Sequence, residues 1–162
     1  MKEGQWGAGL RAIVLVRHGE AVSKWEDPER PLTPRGRAET ERMARILARV
    51  GLAIEEVRHS PKRRARETAA ILSRAFDPPL PTVAVDGLGP EDPVEPVARQ
   101  LEREKATVAL VGHLPHLARL ASRLVCGTAE AEVALLATSG VALLVATESG
   151  WSLAALLRPD MT

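Results

Sequence analysis

Two continuous apolar segments most constrain what this chain can fold into. Residues 12–16 (AIVLV) and 107–111 (TVALV) are rich in β-branched side chains and contain no charged residue. Such segments are typical of strands that are covered on both faces, as the strands of parallel sheets are. Residues 56–59 are a shorter strand candidate between two predicted helices. The chain is therefore expected to build its core around a parallel sheet.

Four groups of apolar residues recur at helical spacing between and after these strands. The groups are Met43, Ile46, Leu47 and Val50; Ala65, Ala69, Leu72 and Phe76; Val94, Val97, Ala98 and Leu101; and Leu114, Leu117, Leu120 and Leu124. Thr33 and Pro34 predict the start of the first helix, and Gly51 predicts its end. Asp92 is the predicted N-cap of the third helix, with Glu95 completing a capping box.

The last part of the chain changes to apolar segments separated by turn residues. Residues 133–137, 141–147 and 151–157 are predicted strands. The whole pattern predicts an α/β fold with a mainly parallel central sheet, helices on both faces and strands at the C-terminal end. Because no repeat or linker interrupts residues 1–162, we expect one domain, with residues 1–11 as a loosely ordered N-terminal extension.

Charge and composition exclude several classes of partner. A formal net charge of +1 gives no strong field for nucleic acid or an acidic membrane. The longest apolar segment, residues 141–146, is too short to span a bilayer, and the N-terminus lacks a signal-peptide core. The single cysteine, Cys126, excludes an intrachain disulfide and fits a reducing compartment. We expect a cytoplasmic protein that binds neither nucleic acid nor membranes.

The histidines indicate where the chemistry lies. The chain has 4 histidines, and all of them lie at or just after the ends of predicted strands: His18, His59, His113 and His116. Ligands of open parallel sheets bind beyond the carboxyl ends of the strands, so these side chains are expected to lie near one another. Arg17 precedes the first histidine, and a basic segment with Arg64 follows the second. Guanidinium groups match phosphate oxygens in pairs, and a neutral imidazole can attack phosphorus, so a phosphoryl group is the expected ligand.

Four short segments in a consistent order carry a more specific signal. They are residues 17–20 (RHGE), 27–36 (DPERPLTPRG), 60–68 (SPKRRARET) and 112–115 (GHLP). The first resembles the signature of the histidine phosphatase superfamily, which includes the phosphoglycerate mutases. The other three resemble segments of its SixA-type phosphohistidine phosphatases. The resemblance covers roughly residues 12–147 and implies a phosphoglycerate mutase-like fold.

The resemblance also implies a role for each matching residue. His18 would be the nucleophile, and Arg17 and Arg64 would clamp the phosphate. His113 would donate a hydrogen bond to the phosphoryl oxygens, and Gly19 would let the backbone turn sharply beneath them.

Two further residues are candidates for the rim of the site. Arg30 and Glu20 would bind substrate there, although a salt bridge within the turn explains them equally well. His59 and His116 are better explained by structural roles. The chain lacks a carboxylate-rich cluster that could hold magnesium, so neither a metal nor a cofactor is expected.

One segment departs from the family pattern. Mutases and acid phosphatases carry an acidic general acid before the last histidine segment, where this chain has residues 86–92 (DGLGPED), with Gly87 at the expected position. Glu91 or Asp92 would have to replace the acid, and neither fits the register well. An imidazole leaves with less help than an alkoxide, because its conjugate-acid pKa is about 6.5. Residues 77–106 also leave no room for a lid domain.

The sequence therefore predicts a phosphohistidine phosphatase that works through a phospho-His18 intermediate, with a phosphorylated protein as substrate. Two alternatives stay open. One is a small-molecule phosphomonoesterase, which acts on a small phosphate ester with Glu91 or Asp92 as the acid. The other is a non-catalytic phosphohistidine-binding regulatory module.

Overall fold

A computed structural model describes residues 9–162 and contains one six-stranded sheet. The strands are β1 (Ala12–Arg17), β2 (Ile54–His59), β3 (Thr82–Ala84), β4 (Thr107–Gly112), β5 (Val141–Thr147) and β6 (Gly150–Leu157). The helices are α1 (Pro34–Val50), α2 (Arg63–Arg74), α3 (Glu95–Arg103) and α4 (His116–Cys126), followed by a 3-10 turn at Pro159–Met161. Residues 1–8, which belong to the predicted N-terminal extension, lie outside the described residues.

The strand order in the sheet is β3-β2-β4-β1-β5-β6. Strand β4 lies parallel to both β1 and β2, and β2 lies parallel to β3. Strand β5 is antiparallel to β1 and β6, so the C-terminal strands extend the sheet on one side. The expected α/β fold is confirmed. Its parallel part brings the carboxyl ends of β1, β2 and β4 to the same edge.

Helices cover both faces of the sheet, which explains why β1 is apolar throughout. Val14 packs into the cluster formed with α1 and α2, whereas its neighbour Leu15 packs into the cluster formed with α3 and α4. Both side chains are completely buried. Successive side chains of a strand point to opposite faces, so a strand covered on both sides needs an apolar residue at every position.

The helix ends partly follow the predicted signals. Thr33 is the N-cap of α1, and its side chain accepts a hydrogen bond from the first turn. Gly51 ends α1 with a φ of 80°, a conformation that suits glycine. The predicted cap of α3 is wrong, because α3 begins at Glu95 after Val94 and has no side-chain cap. Asp92 instead accepts a hydrogen bond from the N–H of Gly89 at 2.7 Å, which stabilises the preceding turn.

The predicted strand at residues 133–137 is also wrong, because this segment is irregular. Ala134 and Leu136 are buried against α3 and α4, and Leu135 between them is 70% exposed. The alternation of burial reflects an irregular segment packed on the core rather than a strand in the sheet. The carbonyl of Leu136 accepts a hydrogen bond from Arg17 instead of from a neighbouring strand.

Candidate active site

The carboxyl ends of three parallel strands bring two imidazoles together. His18 follows β1 and His113 follows β4, and the centroids of their rings lie 5.0 Å apart. Both rings are buried, with exposed fractions of 8% and 1%. Arg64, in the first turn of α2 after β2, reaches the same point. The predicted meeting of these side chains at the sheet edge is therefore found in the structure.

The hydrogen bonds of His18 fix its tautomer. Its Nδ1 lies 2.7 Å from the carbonyl oxygen of Gly19, and a carbonyl only accepts, so Nδ1 carries the proton. The Nε2 atom is therefore unprotonated. It accepts a hydrogen bond from the Nε–H of Arg64 at 3.3 Å. The arrangement presents an unprotonated nitrogen towards a cationic group.

Burial and positive charge keep both imidazoles neutral. Burial lowers the pKa of His18 to about 4; the bond to Gly19 opposes this shift, and the charge of Arg64 adds to it. Burial likewise lowers the pKa of His113 to about 3, assisted by the two neighbouring groups His18 and Arg64. A charged form is costly in a buried place beside cations. At neutral pH the free site thus holds two neutral rings and several fixed positive charges.

Arg17 and Arg64 supply two of these charges. Burial lowers the pKa of each guanidinium from its usual value, yet arginine remains charged. One terminal nitrogen of Arg17 donates to the carbonyl of Leu136 at 3.0 Å. The Nε of Arg17 is buried and has no hydrogen-bond partner among residues 9–162. A buried donor of this kind is costly unless a ligand satisfies it.

Arg30 and Glu20, the predicted rim residues, have different surroundings. Arg30 has a φ of 50°, and its Nε donates to the carbonyl of Val22 at 3.0 Å. Its charge lowers the pKa of both His18 and Arg64, so it acts on the same site. Glu20 accepts a hydrogen bond from the hydroxyl of Thr33 at 2.8 Å, at the start of α1. The carboxylate therefore stabilises a helix end rather than forming the turn salt bridge with Arg30.

Gly19 lies where no side chain fits. A Cβ built at this position would lie 2.6 Å from the Oγ1 of Thr40. The N–H of Gly19 donates to the Oγ1 of Thr68 at 3.0 Å, which ties the loop after β1 to α2. Sequence reasoning gave Thr68 no role, although the residue closes the segment at 60–68. The close packing on both sides holds the loop in one conformation.

Ser60 is a second residue that the sequence reasoning did not assign. Its Oγ lies 2.9 Å from the Nε2 of His113, so it orients that ring. Its carbonyl oxygen lies 2.9 Å from the Nδ1 of His59, which places His59 beside the site but not in it. His116 is 1% exposed at the start of α4, and burial lowers its pKa. These two histidines do not join the imidazole pair, as expected.

The carboxylates of the 86–92 segment lie beside the imidazole pair rather than on it. Within residues 9–162, no carboxylate forms a hydrogen bond with His18 or His113. Glu91 and Asp92 line an open cavity of about 740 Å³, and Ser60 forms part of its wall. No group of three or more potential metal ligands occurs among the residues that the structure describes. The donor set suits a phosphate anion better than a cation.

Comparisons with known proteins agree with this geometry. The family model of the histidine phosphatase superfamily (branch 1) matches residues 13–89. An uncharacterized protein of Picosynechococcus is 38% identical over 122 residues, which cover 71% of this chain and 73% of that protein. The chain belongs to the histidine phosphatase superfamily. The human mitochondrial serine/threonine-protein phosphatase PGAM5 is 38% identical over 87 residues, which cover 53% of this chain and 30% of that protein.

Solved structures of this superfamily share the whole architecture. The protein histidine phosphatase SixA complexed with tungstate superposes with a TM-score of 0.81 at 28% identity, covering 93% of this chain and 98% of that one. A putative phosphohistidine phosphatase SixA from Agrobacterium tumefaciens gives 0.75 at 25% identity, covering 92% and 98%. This histidine phosphatase is thus a hydrolase with a SixA-like fold. No helix in the described part of the chain is long and apolar enough to cross a membrane.

Proposed function

We propose that this histidine phosphatase removes the phosphoryl group from a phosphohistidine of a partner protein through an intermediate on its own His18. The observation that carries the proposal is the tautomer of His18. Its Nε2 is unprotonated and accepts a hydrogen bond from Arg64 at 3.3 Å, while Nδ1 donates to the Gly19 carbonyl. A neutral imidazole beside fixed cations can attack the phosphorus of a bound anion.

In the first step, Nε2 of His18 forms a bond to phosphorus while the bond from phosphorus to the substrate imidazole breaks. The substrate ring is protonated by solvent on its other nitrogen, so it leaves as a neutral imidazole that keeps the electron pair of the broken bond. Arg64 and the unpartnered Nε–H of Arg17 neutralise the charge on the transferring oxygens. Arg30 adds positive charge at the rim. In the second step, water attacks the phosphorus, inorganic phosphate leaves, and His18 regains its electron pair.

His113 changes its protonation state in this scheme. Its pKa of about 3 reflects burial and the positive charges around it. A phosphate dianion brings negative charge next to the ring, which favours the imidazolium form. The protonated ring then donates a hydrogen bond to a phosphoryl oxygen, and Ser60 holds it in place.

The choice of phosphohistidine rests on the leaving group. Within residues 9–162, no carboxylate is hydrogen-bonded to His18 or His113, so the imidazole pair has no acid beside it to protonate the departing group. An imidazole has a conjugate-acid pKa of about 6.5, so it leaves without a nearby proton donor far more readily than an alkoxide does. The carboxylates of Glu91 and Asp92 in the neighbouring cavity keep a small phosphate ester as the second candidate substrate.

The predicted location in the cytoplasm stays a prediction.

The test is a competition between substrates. A phosphohistidine-bearing protein is mixed with a panel of small alkyl phosphate esters and with p-nitrophenyl phosphate, and the release of phosphate from each is followed. The expected result is a kcat/KM for the phosphohistidine protein that exceeds that for every alkyl ester. The His18→Ala variant is the control for contaminating phosphatases. A preferred alkyl ester would favour the second candidate, and negligible turnover of p-nitrophenyl phosphate would favour a binding module.

A further inference from the structure

Several prolines line the cavity beside the imidazole pair. We call it the proline groove, because Pro61, Pro90, Pro93 and Pro96 all line its walls. Its volume of about 740 Å³ is in the range of pockets that hold a ligand of several linked groups. Prolines lack an N–H and have a fixed φ, so the walls offer rigid apolar surface with few donors.

The groove adjoins the phosphate site at Ser60. This residue lines the groove, and its hydroxyl lies 2.9 Å from the Nε2 of His113. A molecule whose phosphoryl group reaches His113 therefore has the groove beside it. Whatever is attached to that phosphoryl group can extend over the proline surface.

The charge of the groove is opposite to that of the phosphate site. Asp86, Glu91 and Asp92 line the groove against a single cation, Lys62. Asp86 and Glu91 are exposed, so they are free to pair with a ligand. In the phosphate site, by contrast, the charged groups are the arginines 17, 30 and 64. The matching ligand has an anion at one end and positive charge a short distance away.

We propose that the proline groove binds the polypeptide segment next to the phosphorylated side chain, and that this segment carries lysine or arginine. The inference rests on the proposed function and narrows its substrate class. Apolar and aliphatic parts of the segment pack on the prolines, while its cations pair with Asp86 and Glu91. A rigid surface binds such a segment at little conformational cost. Acidic flanking residues are repelled by the same carboxylates.

The experiment uses two phosphohistidine peptides that differ only beside the phosphohistidine, one with lysines and one with glutamates. The readout is the ratio of their kcat/KM values, measured for each enzyme variant. With two exposed charge pairs, the ratio for the wild-type protein is expected to be about fivefold in favour of the basic peptide. The ratio should approach one as added salt screens the charge pairs between peptide and groove. Asp86→Lys and Glu91→Lys should each lower the ratio.

Glu148→Lys is the matched control, because Glu148 is exposed in the turn between β5 and β6, at the other end of the sheet. The same change of charge there should leave the ratio as in the wild type. Equal kcat/KM values for the two peptides would overturn the inference and leave the proposed function standing. If phosphoethanolamine is hydrolysed as efficiently as the basic peptide, the groove binds a small cation rather than a polypeptide segment. That result would also overturn the inference. No turnover of either peptide would overturn both.

Discussion

The Nε of Arg64 lies 3.3 Å from the Nε2 of His18, so in the proposed mechanism the guanidinium lies on the side of the ring that faces the phosphorus. The two residues come from different elements, since His18 follows β1 and Arg64 lies in the first turn of α2. The contact both keeps the proton off Nε2 and places a cation where the oxygens of a transferred phosphoryl group would lie. Under the proposed mechanism, this one contact joins the nucleophile to the group that stabilises the transferred charge.

Replacement of Arg64 is expected to damage chemistry more than folding. Arg64→Ala should lower kcat by about 10²–10³, because it removes a fixed charge from the transferring oxygens. Arg64→Lys keeps the charge without the planar guanidinium, so its kcat should lie between those of the wild type and Arg64→Ala. Steady-state rates and thermal unfolding should be measured together. An unfolding midpoint that drops in parallel with the rate would indicate a structural role instead.

Loss of the His18 ring is expected to abolish turnover. His18→Ala removes the only imidazole nitrogen whose lone pair faces Arg64, and no hydroxyl or thiol is expected to replace it. Circular dichroism should show unchanged secondary structure, because the fold rests on the apolar clusters on both faces of the sheet. Activity near that of the wild type would exclude His18 as the nucleophile.

A phosphorylated His18 should accumulate when the second step is slowed. His113→Asn keeps a hydrogen-bonding side chain beside Ser60 but cannot become positively charged, so it should slow attack by water on the intermediate. A rapid quench in base followed by peptide mass spectrometry should find one phosphate on His18, because phosphoramidates survive base. A phosphate on Ser60 or Cys126, or a single inversion at phosphorus, would contradict the two-step mechanism.

The protonation of His18 should begin only in distinctly acidic solution. With a folded pKa of about 4, the ring stays neutral at pH 5–6, and kcat/KM should not be lost near pH 6.5 through this group. The folded pKa lies below the unfolded value of about 6.5, so the unfolded chain binds the proton first. This group therefore costs stability progressively as the pH falls from about 6.5 to about 4.

An NMR titration of the histidine ring protons, assigned with the His18→Ala variant, measures this pKa directly. Saturating inorganic phosphate should raise it, because the anion offsets the arginine charges. A ring that titrates near pH 6.5 without phosphate would contradict the picture of a desolvated neutral nucleophile.

Chelation of divalent metals is expected to leave turnover unchanged. The positive charge assigned to the reaction comes from arginines and a protonated imidazole, and no group of three or more potential metal ligands occurs within residues 9–162. Extensive dialysis against a chelator, with p-nitrophenyl phosphate as substrate, provides the measurement. A loss of activity that zinc or magnesium restores would refute the prediction.

Much of the framework could be predicted from local patterns in the sequence. Residues 12–16 are apolar throughout and residues 107–111 are apolar after Thr107, as strands covered on both faces require, and both segments form central strands. Thr33 and Gly51 mark the ends of α1 because capping depends on a few neighbouring residues. The predicted site histidines follow strands whose carboxyl ends meet, a consequence of parallel topology.

Other features depended on contacts that no local pattern contains. The apolar run at residues 133–137 resembles a strand, yet the segment is irregular, and the carbonyl of Leu136 accepts a hydrogen bond from Arg17, over one hundred positions away. Asp92 has the right spacing for a helix cap but bonds to the turn before it. In both cases, tertiary packing determined which hydrogen-bond partner the side chain or the carbonyl group has.

The amino-acid sequence by itself therefore determined that His18, Arg64 and His113 meet at one edge of the sheet. Only the tertiary structure decided how they are used: the tautomer of His18, the pairing of Ser60 with His113 and the unpartnered Nε of Arg17. The reason is physical. Strand and helix patterns arise between neighbours in the chain, whereas proton positions and charge depend on burial and on groups 46 or 53 positions apart.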